Sequence, residues 1–262
     1  MGLNVAIVGA GKFFCPNCNP SGSLRAPGVS GLTTLKQCLE EDIKATVFEV
    51  NSGIGGQWYK EGDTDDGVEA DEKYRIPVSM YEGVILNSCR DTTAFSDFPV
   101  DPSRYPDYLS RKMFMEYLNE YADHFSLKPH IRLDTKVLEC KLMHNGKWLV
   151  MHQKTGEDMV EEVYDAVFAC SGHLSTPLIP EIEGKDKFEN EMLHSQEYRR
   201  PSRFEGKRVA IIGFGSSAAD ISCELAGQAK ELYVITHRGA WIFPRFFQGK
   251  PIEAFNSKLK YL

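Results

Sequence analysis

Two glycine-rich turns in this 262-residue chain could hold phosphate. The later one lies in RVAIIGFGSSAADISCELA, where Gly213, Gly215 and Ala218 form a G-x-G-x-x-G/A register between an apolar run and a helix-forming run. The first glycine permits a tight bend. The second lets the backbone approach a pyrophosphate, and the small third residue lets helix and strand pack closely. The N-terminus of the following helix then turns its N–H groups to the anion. The earlier turn is interrupted. VAIV at 5–8 runs into Gly9-Ala10-Gly11, but residues 12–28 intervene before the sequence resumes at Val29-Ser30-Gly31. With 12–28 removed, Gly9, Gly11 and Gly31 fall into the same register, so Gly9, Gly11, Val29, Ser30 and Gly31 are candidate phosphate-binding residues.

The residues beyond each turn distinguish the two sites. Glu49 ends the next apolar run, KATVFEV, eighteen residues after Gly31. An acid at about that offset is the expected ligand of a ribose 2′-hydroxyl. The same offset from Ala218 lands on Thr236, with Arg238 two residues beyond. A missing carboxylate beside a guanidinium accommodates a 2′-phosphate. The first turn therefore reads as a site for FAD or NAD and the second as a site for NADP. Two such sites in one chain suggest a flavin and a pyridine nucleotide facing each other for hydride transfer.

The elements needed to hold these residues are legible as patterns. Apolar runs and alternation predict strands at 3–8, 44–50, 136–143, 147–153, 160–169, 207–212 and 231–236, and helices near 29–41, 106–126 and 216–228. Strand, glycine turn, helix and strand occur in that order twice, which means βαβ units and parallel sheets. Between them, HNG at 144–146 and KTGED at 154–158 predict hairpin turns. Leu109, Met113, Tyr117, Leu118 and Tyr121 recur at helical spacing and predict a core-facing stripe. The expected fold class is α/β, with two dinucleotide-binding, Rossmann-like domains and a β-meander in the first. PLIPEIEG at 177–184 reads as a linker, so the expected domains are 1–178, binding FAD, and 179–262, the start of an NADPH-binding domain left incomplete.

Composition narrows the partners. A hydrophobic share of 42% with 26% charged residues allows a sizeable core. A formal net charge of -7 argues against nucleic acid, whose phosphates need a basic face. Seven scattered cysteines fit a reduced setting, and the chain has no signal core or apolar run of membrane length, so a cytoplasmic location is expected. No metal is expected. Cys15 and Cys18 lack the second pair that zinc needs, and the acidic stretch at 61–73 puts Thr64 where a calcium loop requires a ligand.

Further stretches carry a family resemblance: GIGGQWY at 53–59, LNSCRDTTAFSDFP at 86–99 and FACSGHLSTPLIP at 168–180. FENEMLHSQEY fits the fingerprint F-x-G-x-x-x-H-x-x-x-Y/F at Phe188, His194 and Tyr198, with Asn190 in place of the glycine. The chain resembles a flavin-containing monooxygenase of the dimethylaniline, N-oxide-forming type, in a fungal form. The resemblance implies an enzyme that uses FAD, NADPH and O2 to oxygenate small molecules with soft N or S nucleophiles, through a flavin C4a-hydroperoxide. It implies that Asn87 is catalytic and touches the nicotinamide cofactor. It further implies that Gln57, Trp58 and Ser88 line the flavin and that Ser217, Ala218 and Asp220 hold the second nucleotide. Tyr198 stands where Baeyer–Villiger relatives usually carry Trp; that chemistry is one alternative reading, and an inactive fragment with residual nucleotide binding is another. No cysteine pair comes after residues 53–57, which sets disulfide reductases aside. Residues 12–28 are expected to be a translated in-frame intron, with a surface loop as the alternative. Family members continue well past residue 262, so a truncated chain is expected, and membrane attachment through a C-terminal segment stays open.

Overall fold

A computed structural model describes residues 2–9, 12–14, 28–59, 80–172 and 177–256. Ala10, Gly11, the Cys15–Cys18 pair and the acidic stretch at 61–73 lie outside the described residues. In chain order the elements are β1 (Asn4–Val8), β2 (Lys12–Phe14), α1 (Val29–Glu40), β3 (Lys44–Phe48), α2 (Arg90–Thr93), α3 (Arg111–His124), β4 (Ile131–Arg132), β5 (Thr135–Leu142), β6 (Trp148–Lys154), β7 (Met159–Tyr164), β8 (Ala166–Ala169), β9 (Arg208–Ile212), α4 (Ser216–Leu225) and β10 (Glu231–Ile235). The fold is α/β with parallel sheets, as the pattern of turns implied.

The chain forms two compact units that interleave in sequence: residues 1–78 with 115–191, and residues 79–114 with 192–262. This differs from a single division near residue 178. The reason is a set of long-range hydrogen bonds that tie 79–114 into the later unit. Glu82 donates its N–H to the Arg199 carbonyl at 3.0 Å, and Arg245 donates to the Leu86 carbonyl at 3.0 Å.

In the first unit a four-stranded sheet runs in the order β4-β3-β1-β8, every pair parallel. The strands are short apolar runs, and Val5, Ala6, Ile7 and Val8 are all buried, as a parallel sheet covered on both faces requires. Helix α1 makes the β1–α1–β3 crossover and packs on both strands, with Leu32 and Leu35 fully buried. The crossover is therefore complete although residues 12–28 interrupt its sequence. Part of that interruption has its own place: β2 pairs in parallel with β5 at the edge of a second sheet ordered β2-β5-β6-β7.

The rest of the second sheet is the expected meander, antiparallel from β5 to β7. Its turns are the two foreseen. Gly146 and Gly156 take φ of +79° and +81°, where an L side chain would be strained. Ala6, Val8 and Phe48 from the parallel sheet meet Val137, Cys140, Val150 and Tyr164 from the meander in one apolar cluster. Fully burying a side chain such as Phe48 stabilises by about 1.5–3 kcal/mol. The run at 160–169 is two strands rather than one: β7 closes the meander and β8 joins the parallel sheet.

In the second unit β9 and β10 pair in parallel and α4 connects them. Helix α3 starts at Arg111, later than its apolar pattern, because the backbone before it is already engaged. The Leu109 carbonyl accepts from Leu86 N–H at 2.9 Å and the Asp107 carbonyl from Arg90 N–H at 2.6 Å. At its other end Ser126 takes φ of +54° and Leu127 donates back to the Ala122 carbonyl at 2.8 Å, a left-handed cap.

Candidate functional site

The strand order places a crevice at the carboxyl end of β1, where the chain leaves toward β3 on one side and β8 lies on the other. Gly9 sits there, buried, directly after β1. Gly28 precedes α1 and has no side chain with which to accept the first N–H groups of the helix, those of Val29, Ser30 and Gly31. Gly31 is buried in that first turn. Glu49 comes directly after β3 and is wholly buried, and its Oε1 accepts the Asn51 N–H at 2.7 Å. Its own backbone is locked on both sides, by Glu49 N–H to the Arg132 carbonyl at 3.0 Å and Thr135 N–H to the Glu49 carbonyl at 2.7 Å.

The 53–59 segment is a tight loop built on glycine. A Cβ on Gly53 would overlap the Tyr59 ring, whose hydroxyl lies 2.7 Å from Ser52 Oγ. Gly55 has φ of +124° and faces the Met115 thioether. Gly28 approaches the Gly56 backbone so closely that a Cβ there would stand 3.5 Å from the Gly56 Cα. Gln57 and Trp58 form a short 3-10 turn, half-buried, beside the N-terminus of α1. An uncapped helix start, a buried acid at a strand end and close glycine backbones fit a dinucleotide carrying ribose hydroxyls.

The second unit repeats the device. Gly213 donates to the Ile235 carbonyl at 2.9 Å and holds φ of +101°, a conformation that favours glycine. Gly215 caps α4 with no side-chain hydrogen bond, Ser217 is exposed in the first turn, and Ala218 is half-buried. Thr236 stands after β10 as Glu49 stands after β3. Its hydroxyl donates to the Arg238 carbonyl, and the Arg238 side chain is exposed. Among the described residues directly after β10 stand a threonine and a guanidinium in place of a carboxylate, which suits a 2′-phosphate. Asp220 is placed differently from its neighbours: its carboxylate accepts the Tyr81 hydroxyl at 2.6 Å.

Asn87 and Ser88 also belong to the second unit. The Asn87 side chain is exposed on a backbone fixed by its neighbours. Arg245 holds the Leu86 carbonyl and lies over the Tyr108 ring, 5.2 Å from its centroid. Ser88 Oγ lies 2.7 Å from Thr93 Oγ1. The fingerprint histidine, His194, accepts the Gln196 N–H on Nδ1 and so caps its own turn, while Tyr198 is buried and donates to Glu224 at 2.7 Å.

One polar cluster had no sequence signal. Arg132 donates to both oxygens of Glu162 at 2.9–3.0 Å, Tyr164 donates to the same carboxylate, and His152 Nε2 stands 3.5 Å from it. Burial works against the Glu162 charge, but the Tyr164 hydroxyl and the Arg132 guanidinium outweigh it and hold the carboxyl below its usual range. Arg132, Glu162 and Tyr164 border a polar cavity of about 260 Å³ with Asn4 and Lys44, which begin β1 and β3. Its lining runs along β3 from Lys44 to Arg132 and contains neither Gly9 nor Glu49.

The geometry has counterparts among known proteins. The model of the flavin-binding monooxygenase-like family matches residues 23–260. Dimethylaniline monooxygenase (N-oxide-forming) 2 of Cavia porcellus is 36% identical over 241 residues, covering 89% of this chain and 43% of its own length. Flavin-containing monooxygenase 5 of Rattus norvegicus is 37% identical over 233 residues, covering 86% of this chain and 42% of its own. Among solved structures, S-allyl-L-cysteine S-oxygenase from Allium sativum superposes with a TM-score of 0.76 at 28% identity, over 95% of this chain and 54% of that one. OTEMO, solved in complex with FAD and NADP, shares the fold with a TM-score of 0.62 at 24% identity, over 91% of this chain and 39% of its own. The chain thus spans about two fifths of the length of the curated relatives it matches. No helix among the described residues is long and apolar enough to cross a membrane.

Proposed function

Because this chain belongs to the flavin-binding monooxygenase-like family, we propose that it carries the FAD site and the beginning of the NADPH site of an enzyme that oxygenates soft nitrogen or sulfur centres with O2. The observation that carries the reading is the paired cradle: two uncapped helix starts after glycine turns, one followed by a buried Glu49 and the other by Thr236 and Arg238. A bound flavin would supply the hydride-accepting ring and the centre for O2 activation.

The chain's own residues bind and orient. Val29, Ser30 and Gly31 direct backbone N–H groups at the FAD pyrophosphate, and Glu49 accepts from its ribose hydroxyls. Gln57 and Trp58 belong to the loop that covers the flavin. Ser217 and Ala218 present the second helix start, and Arg238 pairs with the 2′-phosphate of NADPH. Asn87 offers two donors and an acceptor from a pinned turn, a match for the carboxamide of nicotinamide. Nitrogen or sulfur, rather than a ketone, is favoured by Tyr198 in place of Trp. It is also favoured by the names of the relatives, one N-oxide-forming and one an S-oxygenase.

The test is spectroscopic first. Purified chain titrated with FAD is expected to gain a bound-flavin spectrum and to bleach on anaerobic addition of NADPH. A protein that takes up no flavin sinks the proposal, and oxidation of cyclic ketones with no turnover of tertiary amines or thioethers moves it to Baeyer–Villiger chemistry. Residues 12–28 are proposed to be foreign to the turn, since they separate Gly11 from Val29. Deleting them is expected to tighten FAD binding at least tenfold, about 1.4 kcal/mol; equal affinity of the two proteins would show that the insert is tolerated as a loop.

A further inference from the structure

Helix α4 carries two carboxylates one turn apart, Asp220 and Glu224. Each accepts a tyrosine hydroxyl from outside the helix: Tyr81 to Asp220 at 2.6 Å and Tyr198 to Glu224 at 2.7 Å. The two rings meet edge to face with centroids 5.6 Å apart, and Tyr198 also stacks on Phe204 at 5.7 Å. Both tyrosines are buried. Glu82 N–H to the Arg199 carbonyl at 3.0 Å joins the two segments that carry them. Gly83 leaves room for the Glu224 carboxylate, since a Cβ there would overlap its Oε1.

The chemistry of this grip is specific. Residues at i and i+4 share one helix face, so the two bonds act on one side of α4 and hold it against rotation. The donors are neutral hydroxyls, so the grip sets no lysine or arginine beside the helix start to draw a phosphate away from the turn. A helix that begins at Gly215 must also be held at its body if its first N–H groups are to stay aimed at one point. Asp220 spends its carboxylate on Tyr81, one turn beyond that start, rather than presenting it to an anion that it would repel.

We infer that Tyr81 and Tyr198 are positioning residues that anchor helix α4 through Asp220 and Glu224, and that Asp220 is an anchor point and not a nucleotide ligand. The link to nucleotide binding rests on the proposed NADPH site; the anchoring itself does not. Burial and the facing carboxylates push the hydroxyls of both tyrosines up, so they remain protonated donors throughout the working range of pH.

The test uses the full chain with Tyr81→Phe, Tyr198→Phe and Asp220→Asn. Hydrogen exchange of the amides in α4, without ligand, is expected to rise about tenfold in each Phe variant, because the rings stay and only the anchoring bonds go. The NADP+ dissociation constant is expected to rise about three- to tenfold in the same variants. Asp220→Asn keeps an oxygen acceptor for Tyr81 and is expected to hold both readouts near the parent values. Unchanged exchange in both Phe variants would overturn the anchoring. A loss of NADP+ affinity in Asp220→Asn, with exchange unchanged, would overturn the anchor assignment and make Asp220 a ligand. If the parent chain binds no NADP+ at all, the proposed function falls, while the exchange of α4 still decides the anchoring.

Discussion

Glu49 shows how much one residue must satisfy. A wholly buried carboxylate is costly unless its oxygens find partners, and Asn51 N–H meets one of them. Its backbone is held by β4 and by Thr135, so the side chain is aimed before any ligand arrives. Glu49→Gln preserves the shape and removes the charge of the proposed ribose-binding carboxylate. It is expected to weaken FAD binding about tenfold, about 1.4 kcal/mol, by fluorescence titration. His152 supplies a second residue-scale prediction. Burial, aided by Arg132 and opposed by Glu162, holds its pKa below 6.5, with its ring 4.7 Å from that of Phe48. The unfolded chain takes up this proton first as pH falls, so stability drops below pH 6.5 until the folded-state pKa is passed. The thermal midpoint is expected to fall as pH drops from 7 through 6.5, and His152→Gln to flatten that fall. Glu162, with its pKa lowered, adds its own loss at more acid pH, below its ordinary 4.5.

At the scale of elements, the loop after β3 is governed by what glycine allows. Gly55 combines φ of +124° with the Met115 side chain at the place a Cβ would occupy. Gly55→Ala therefore meets backbone strain and overlap together, and is expected to destabilise the first unit by about 1–3 kcal/mol in urea unfolding. An unchanged midpoint would mean that the loop relaxes elsewhere. The same logic explains why α1 tolerates an interruption before it. Its hold on the sheet comes from Leu32 and Leu35, fully buried, and from Thr34 beside Cys170, and none of these depends on how the chain arrives at Gly28. The path of the chain affects the turn; the packing of the helix does not need it.

At the scale of the molecule, both units leave large apolar side chains exposed. In the second unit Ile212 is 62% exposed, Ile235 52% and Trp241 91%, on or just beyond a two-stranded parallel sheet. Exposed apolar strands are templates for association. The chain is expected to show concentration-dependent scattering, and Ile235→Lys to reduce it; scattering that persists undiminished would place the sticky surface elsewhere.

Periodicity and glycine placement alone determined the βαβ units, the meander with its two turns, the burial of residues 5–8 and the acid at Glu49. Each is written in neighbouring residues, because strand alternation, helix spacing and left-handed turns are local constraints. Tertiary structure alone decided that 79–114 folds with 192–262, that 160–169 serves two sheets, that α3 begins at Arg111, and that Asp220 faces a tyrosine. A hydrogen bond such as Tyr81 to Asp220 joins residues 139 apart. Contacts at that range leave no period in the sequence and depend on the packing of the whole unit, so they become legible only once the chain has folded.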